Sequence, residues 1–254
     1  MADLAGKTIL LTGASKGIGA AIATTLGDRG AHVIAHYGSD RAGAEAALEA
    51  CPEARKRFLQ ADMGVPGAAD ELFAQALAWR GSIDVVVANA AIMKSAAIDG
   101  PDDIWDEVWD ETLRVNVLSP ARLMRAAVRH FLERGGGSIV ALSSWVVHRG
   151  SSLPDGMAYA ASKAGVSAMA KTIARAYAKD GILAYGVAPG VVRTRMSEEA
   201  AESLGGEAAV AAGLAMGEWV PPQDIAEVVA FLCEGRAKHL SGATVDVNGA
   251  SYVR

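Results

Sequence analysis

The chain has 254 residues, 51% hydrophobic and 21% charged, the balance of a globular protein that buries a large core. That length suits one α/β domain and does not require two. A net charge of -5 provides no basic footprint, so a nucleic-acid partner is not expected.

Short apolar runs alternate with longer helical patterns, as in βαβ units built around a parallel sheet. Thr8-Ile9-Leu10-Leu11 reads as the first strand, followed by a glycine-rich turn and a helix from about Gly17 to Asp28, with Gly30 just past its end. His32 to Ala35 is a second strand with a helix from about Ala42 to Ala50; Arg57 to Gln60 is a third, with a helix from Ala68 to Trp79. Ile83 to Val87 is nearly all apolar, as in a strand buried on both faces. One long helix is predicted from about Trp105 to Glu133, then a strand from Ser138 to Leu142 and a helix from Met157 to Ala178. Leu183 to Val187 is a strand ending at Pro189-Gly190. Residues 193–217 read as helical but rich in alanine and glycine, a candidate substrate lid. Pro221-Pro222 introduces a helix from Gln223 to Cys233, and Thr244 to Val247 is the last strand. About seven strands with helices between them predict a doubly wound, Rossmann-type parallel sheet in a single domain.

Two cysteines, Cys51 and Cys233, with no CxxC pair, point to reduced, buried thiols rather than a disulfide framework. No apolar run reaches the ~18 residues of a membrane span, and Asp3 precedes the first apolar run without a basic leader. The expectation is a cytoplasmic protein with no membrane partner. Five histidines show no metal-ligand spacing, so no metal site is expected and His36 and its fellows read as surface or core residues.

Thr12-Gly13-Ala14-Ser15-Lys16-Gly17-Ile18-Gly19 joins the first strand to its helix. Glycines there permit a tight turn and let backbone N–H groups approach a pyrophosphate, while the helix N-terminus adds its dipole. Gly13, Ser15, Lys16, Gly17, Ile18 and Gly19 are the candidate contacts. An ordinary glycine-rich βα turn would look similar.

Tyr159 and Lys163 are four residues apart on a predicted helix and share a face. A free phenol has a pKa of ~10. A neighbouring ammonium favours the phenolate and makes the phenol a usable proton donor and acceptor. Alone, such a pair reads first as a surface neighbour pair.

Taken in order, Thr12-Gly13-xxx-Gly17-x-Gly19, Ala61-Asp62-Met63, Asn89-Ala90-Ala91, Asn116, Ser143-Ser144, Tyr159-xxx-Lys163 and Pro189-Gly190-Val191-Val192-Arg193-Thr194 resemble the short-chain dehydrogenase/reductase family over essentially the whole chain. The resemblance implies a hydride transfer between a nicotinamide and a ketone or secondary alcohol. It casts Tyr159 as general acid or base and Ser144 as a hydrogen-bond partner of the substrate oxygen. Lys163 would lower the Tyr159 pKa and hold ribose hydroxyls, and Asn116 would position a water. It further implies Asp62 and Met63 near the adenine, Asn89 in the cofactor cleft, and Pro189, Gly190, Val192 and Thr194 at the carboxamide. A 3-oxoacyl thioester or a sugar or polyol is the expected substrate, and a homo-oligomer, tetramer or dimer, the expected assembly. Rival readings are a non-catalytic dinucleotide-binding or redox-sensing protein, and an isomerase or dehydratase that uses the cofactor transiently.

This chain departs from the family pattern at Ala88-Asn89-Ala90-Ala91 and at Val247-Asn248-Gly249-Ala250, and its segment from Ser144 to Tyr159 is slightly longer than usual. Ser144 is preferred to Ser143 on the motif match, and strand alternation sends the two side chains to opposite faces. No acid stands at the end of the second strand, where His36-Tyr37-Gly38-Ser39 is found. An acid there commonly accepts the 2′-OH of NAD. Lys16, Tyr37, Ser39 and Arg41 are instead candidate contacts to a 2′-phosphate, so NADP(H) is expected over NAD(H), with Asp40 close by.

Overall fold

A computed structural model describes residues 4–253; Asp3, which precedes the first apolar run, lies outside them. The strands are β1 (Thr8–Leu11), β2 (His32–Tyr37), β3 (Lys56–Gln60), β4 (Val85–Ala88), β5 (Gly137–Leu142), β6 (Ile182–Pro189) and β7 (Thr244–Val247). They form one parallel sheet in the order β3-β2-β1-β4-β5-β6-β7. The order reverses between β1 and β4, and the crevice outside the carboxyl ends of strands at such a switch point is where doubly wound sheets bind ligands.

The helices are α1 (Gly17–Asp28), α2 (Arg41–Ala47), α3 (Ala68–Arg80), α4 (Asp102–Leu113), α5 (Ser119–Arg134), α6 (Val146–Arg149), α7 (Met157–Ala176), α8 (Arg195–Glu202), α9 (Glu207–Ala212) and α10 (Pro222–Glu234). Alternation along the strands divides the core in two. Ile9, Leu11, Val85 and Val87 face Ile22 and Leu26 of α1 and Ile225 and Val229 of α10. Leu10, Ile34, Val86 and Ile139 face Leu72 of α3, Leu123 and Phe131 of α5 and Val166 of α7. Each fully buried aliphatic side chain contributes about 1.5–3 kcal/mol, so the sheet is clamped on both faces and its carboxyl edge is a rigid platform. Both cysteines are buried and free. Loss of hydration raises both thiols, Cys233 to about 12, which leaves them inert.

Two predicted elements are corrected. The long helix expected from Trp105 to Glu133 is α4 and α5 separated by a π-helical segment, Arg114–Leu118. Its hydrophobic period runs through the interruption, which is why the sequence reads as one helix; the wider turn is a feature often found at functional positions, and Asn116 sits in it. The candidate lid at 193–217 is not one helix but α8 and α9, parted by Gly205 and Gly206, both at φ +89. Its ends are tied together: Val192 pairs with Val220, and the Arg193 N–H donates to the Val220 carbonyl at 3.0 Å. Near the chain end Ala250 adopts φ 57, a left-handed conformation that costs a residue with a Cβ roughly 1–2 kcal/mol.

Gly137 opens β5 directly beneath the Phe131 ring, and a Cβ added there would stand 2.3 Å from a ring carbon. Gly137→Ala is therefore expected to lower the urea-unfolding free energy by about 1–3 kcal/mol through overpacking; an unchanged midpoint would show that the α5–β5 contact is looser than described.

Candidate active site

Loops at the carboxyl ends of β1, β2, β3, β4, β5 and β6 surround one cleft of about 760 Å³, within the range of small-molecule and cofactor sites. Its floor is the turn after β1. Gly13 and Gly17 have φ of +71 and +51, and a Cβ on Gly19 would lie 1.8 Å from the Gly13 carbonyl oxygen, so the turn closes only with glycine at 19. Thr12 locks the turn to β4: its hydroxyl donates to the Val87 carbonyl at 3.3 Å and accepts the N–H groups of Asn89 and Ala90, each at 3.0 Å. Asn89 returns its side-chain amide to the carbonyls of Thr12 at 2.9 Å and Gly13 at 3.1 Å. The Ala88-Asn89-Ala90-Ala91 segment thus keeps, in Asn89, a side chain that holds the turn.

Gly13, Ser15, Lys16, Gly17, Ile18, Gly19, Ser39, Asp62, Met63, Asn89, Pro189, Gly190, Val192 and Thr194 all line this cleft, as do Ser144, Tyr159 and Lys163. Tyr37, Arg41 and Asn116 do not. Tyr37 is buried in β2, and the Arg41 guanidinium engages Glu45 at 2.8 Å and the Tyr37 hydroxyl. Asp40 does reach the cleft. One of its oxygens accepts the Gly43 N–H at 2.9 Å and the other pairs with Lys16 at 3.1 Å, and these two partners hold the carboxyl below its usual range.

At the other end the Tyr159 hydroxyl hydrogen-bonds Ser144, while Ser143 turns its hydroxyl to the Lys163 carbonyl at 3.2 Å. The opposite faces expected for the two serines are not found: both lie past the end of β5, both line the cleft and both meet α7. The Lys163 ammonium donates to the Leu142 carbonyl at 2.9 Å and lies 5.7 Å from the centre of the Tyr159 ring. Asn116 is 1% exposed and its amide is fully occupied: it accepts the Ile92 N–H at 2.9 Å and donates to the Ile92 carbonyl at 2.8 Å and the Ser162 hydroxyl at 3.0 Å. Its side chain braces the segment after β4 against α7 and does not extend to Lys163.

Burial governs the proton affinities. Loss of hydration pushes Tyr159 up to about 12, only partly offset by the Ser144 hydrogen bond, and pushes Lys163 down to about 8. The expected lowering of the phenol by the ammonium is therefore not what the surrounding protein groups produce. Lys163 is directed to a carbonyl, and Tyr159 stays protonated at neutral pH.

Sequence reasoning did not single out Thr12, His36, Ser162 or the carbonyls of Leu142 and Ile92 for these contacts. Only the Thr12-Gly13 pairing carried a signal, because backbone carbonyls have no sequence signature. The far end of the cleft adds Met93, Lys94, Glu111, Arg195, Met196 and Glu199, with Lys94 paired to Glu111 and Arg195 to Glu199. His148 stacks on Tyr252, and Trp105 and Trp109 pack with Val108 and Ala158, all outside the cleft wall.

A glycine-bound turn at a sheet switch point, with a tyrosine, a serine and a buried lysine across the cleft, defines a dinucleotide-dependent dehydrogenase or reductase. A family model described as "Enoyl-(Acyl carrier protein) reductase" matches residues 13–250. The chain is 37% identical over 250 residues to 3beta-hydroxysteroid dehydrogenase 1 of Eggerthella lenta, covering 97% of this chain and 94% of that protein. It is 34% identical over 249 residues to a 3-oxoacyl-acyl-carrier-protein reductase of Escherichia coli, covering 98% of each. A solved structure of a short chain dehydrogenase/reductase family protein superposes with a TM-score of 0.81 at 31% identity, covering 97% of each chain. The chain belongs to the short-chain dehydrogenase/reductase family, and it is an oxidoreductase of the CH–OH/C=O type that uses a nicotinamide dinucleotide.

The buried lysine has a measurable consequence. Lys163 binds its proton less well folded than unfolded, so stability rises as pH climbs from about 8 to 10.5. Tyr159 acts oppositely: its contribution is complete below pH 10.0 and is lost as pH rises toward about 12. Subtracting the unfolding free energy of Lys163→Met from that of the wild type should give a difference that climbs across the first window; parallel curves would mean the ammonium is hydrated.

Proposed function

We propose that the protein reduces a ketone to a secondary alcohol, or runs the reverse reaction, with NADP(H) preferred to NAD(H). The observation that carries this reading is the hydrogen bond between the Tyr159 and Ser144 hydroxyls beside the buried Lys163, across the cleft from the phosphate turn. Gly13, Gly17 and Gly19, where close protein packing leaves no room for a Cβ, give the tight turn that a pyrophosphate held by the first turn of α1 needs. Asp62 and Met63 would hold the adenine end, Asn89 the middle of the cleft, and Pro189, Gly190, Val192 and Thr194 the carboxamide end. When bound, the cofactor supplies or accepts the hydride.

The chain's own groups manage the oxygen of the substrate. Ser144 orients that oxygen by a hydrogen bond, and Tyr159 holds the proton it receives. A phenol at about 12 carries its proton at neutral pH but is a weak acid, so proton transfer in either direction needs help from a neighbouring positive charge. Oxidation calls for an ammonium nearer the phenol, which Lys163 reaches by leaving the Leu142 carbonyl. Asn116 is a positioning residue, and with its side chain occupied any water it holds would bind its backbone carbonyl.

The preference for NADP(H) rests on Lys16, Ser15 and Ser39 at the ribose end, and on Asp40 being engaged at both oxygens. Arg41 would add to a 2′-phosphate site only by releasing Glu45. A 3-oxoacyl thioester is the first substrate class to test, supported by the E. coli relative's name, with sugars and polyols as the alternative. The cytoplasm is the proposed location. A homo-oligomer fits the exposed Ile104, Leu118 and Phe231 on α4, the π segment and α10; light scattering that reports a monomer would remove it.

A screen of ketones and alcohols by nicotinamide absorbance tests the whole reading. Tyr159→Phe is expected to lower kcat about 10²–10⁴-fold with dinucleotide binding intact, and retention of most activity would refute the proton-carrier role. Net absorbance change separates this reading from an isomerase or dehydratase. In the same assay kcat/KM is higher for NADPH than for NADH, and Lys16→Glu narrows the ratio; a wild-type preference for NADH defeats the cofactor assignment.

A further inference from the structure

His36 carries a partner at each ring nitrogen. The Gly13 backbone N–H donates to Nδ1 at 3.1 Å, and Nε2 lies 3.0 Å from the Ala61 carbonyl oxygen. The backbone carbonyl of His36 accepts the Ala14 N–H at 2.9 Å. The residue is 2% exposed and forms part of the cleft wall. Gly13 opens the phosphate turn, and Ala61 leads into Asp62 and Met63. One imidazole therefore ties the start of the turn to the exit of β3.

Those partners dictate the tautomer. A backbone N–H only donates, so Nδ1 must be bare; a carbonyl only accepts, so Nε2 must carry the hydrogen. The neutral ring satisfies both. An imidazolium would point Nδ1–H at the Gly13 N–H, two donors facing each other in a buried place, and would leave both unsatisfied. Burial lowers the His36 pKa, with the Ala61 carbonyl opposing, in keeping with a neutral ring.

We propose that His36 is a positioning residue for the dinucleotide: its neutral imidazole holds the phosphate turn in its binding shape, and protonation releases the turn and weakens binding. The proposal rests on the reading that the cleft takes a nicotinamide dinucleotide. The ionisable groups on the segments that meet near His36 are Lys16 from the turn, Asp62 from the exit of β3, Tyr37 next to His36 on β2, and Asp40 and Arg41 after β2; β1 contributes none. Lys16 pairs with Asp40 at 3.1 Å, Arg41 pairs with Glu45 at 2.8 Å, and Asp62 accepts the Gly64 N–H at 2.8 Å. With these groups committed elsewhere, the imidazole is the switchable link to Gly13.

Titration calorimetry with NADP+ between about pH 5 and about pH 8, on wild type, His36→Asn and His36→Leu, tests this. Asparagine places a carbonyl oxygen at the δ position, accepts the Gly13 N–H and does not titrate. The wild-type Kd should weaken about tenfold or more toward acid. His36→Asn should bind within about threefold of wild type at neutral pH and lose most of that acid dependence, while His36→Leu binds about tenfold weaker throughout. An acid dependence that His36→Asn reproduces in full overturns the proposal, as does wild-type affinity in His36→Leu at neutral pH. If His36→Leu does not fold, the asparagine comparison decides alone. A wild type that binds neither NADP+ nor NAD+ at neutral pH sinks the nicotinamide reading and this inference together.

Discussion

The bond from the Lys163 ammonium to the Leu142 carbonyl joins α7 to the end of β5. Ser144 follows two residues after that carbonyl, and Tyr159 stands one turn before that lysine. A charged nitrogen in a dry place needs a strong acceptor, and a carbonyl at a strand end has a lone pair to give. This contact fixes the helix against the sheet at the point where the two hydroxyls must meet. It also holds the ammonium 5.7 Å from the centre of the Tyr159 ring.

The phosphate turn depends on a second polar framework. Thr12, Asn89 and His36 consume the early N–H and carbonyl groups of the turn and of the segment after β4. Buried backbone groups that lack partners are costly, so each of these side chains replaces water that the packed sheet excludes. The first-turn N–H groups of α1 cannot be satisfied inside the helix, and Gly17, Ile18 and Gly19 of that turn line the cleft. Asn116 does the same work at the far end, where the π-helical turn places its amide between Ile92 and Ser162.

Much of this was legible in the residues. The strand runs, the glycine spacing and the Tyr159–Lys163 interval follow local rules of sterics and helix periodicity, Asn89 and Ser144 were marked by the family resemblance, and the structure brings Gly13, Asn89, Ser144, Tyr159 and Lys163 to one cleft. Tyr37 and Arg41 were harder to place. A strand's alternation reports which face a side chain takes, but an exposed arginine chooses among nearby carboxylates, and here Glu45 one turn along α2 is within reach. The break at Arg114–Leu118 was hidden for a related reason: the segment itself holds no proline or glycine, and the helix resumes directly at Ser119, with Pro120 in its first turn where proline is tolerated.

The order of chemical types along the chain by itself determined a doubly wound sheet, a tight glycine turn between the first strand and its helix, and a tyrosine and lysine on one helical face. Those features arise from interactions between residues close in sequence. Only the tertiary structure decided which carbonyl receives Lys163, which serine meets Tyr159, and that His36 spans Gly13 and Ala61. The lysine and histidine contacts join segments separated by 20 or more residues, and their partners are backbone atoms, identical in every residue and therefore unreadable until folding brings them together.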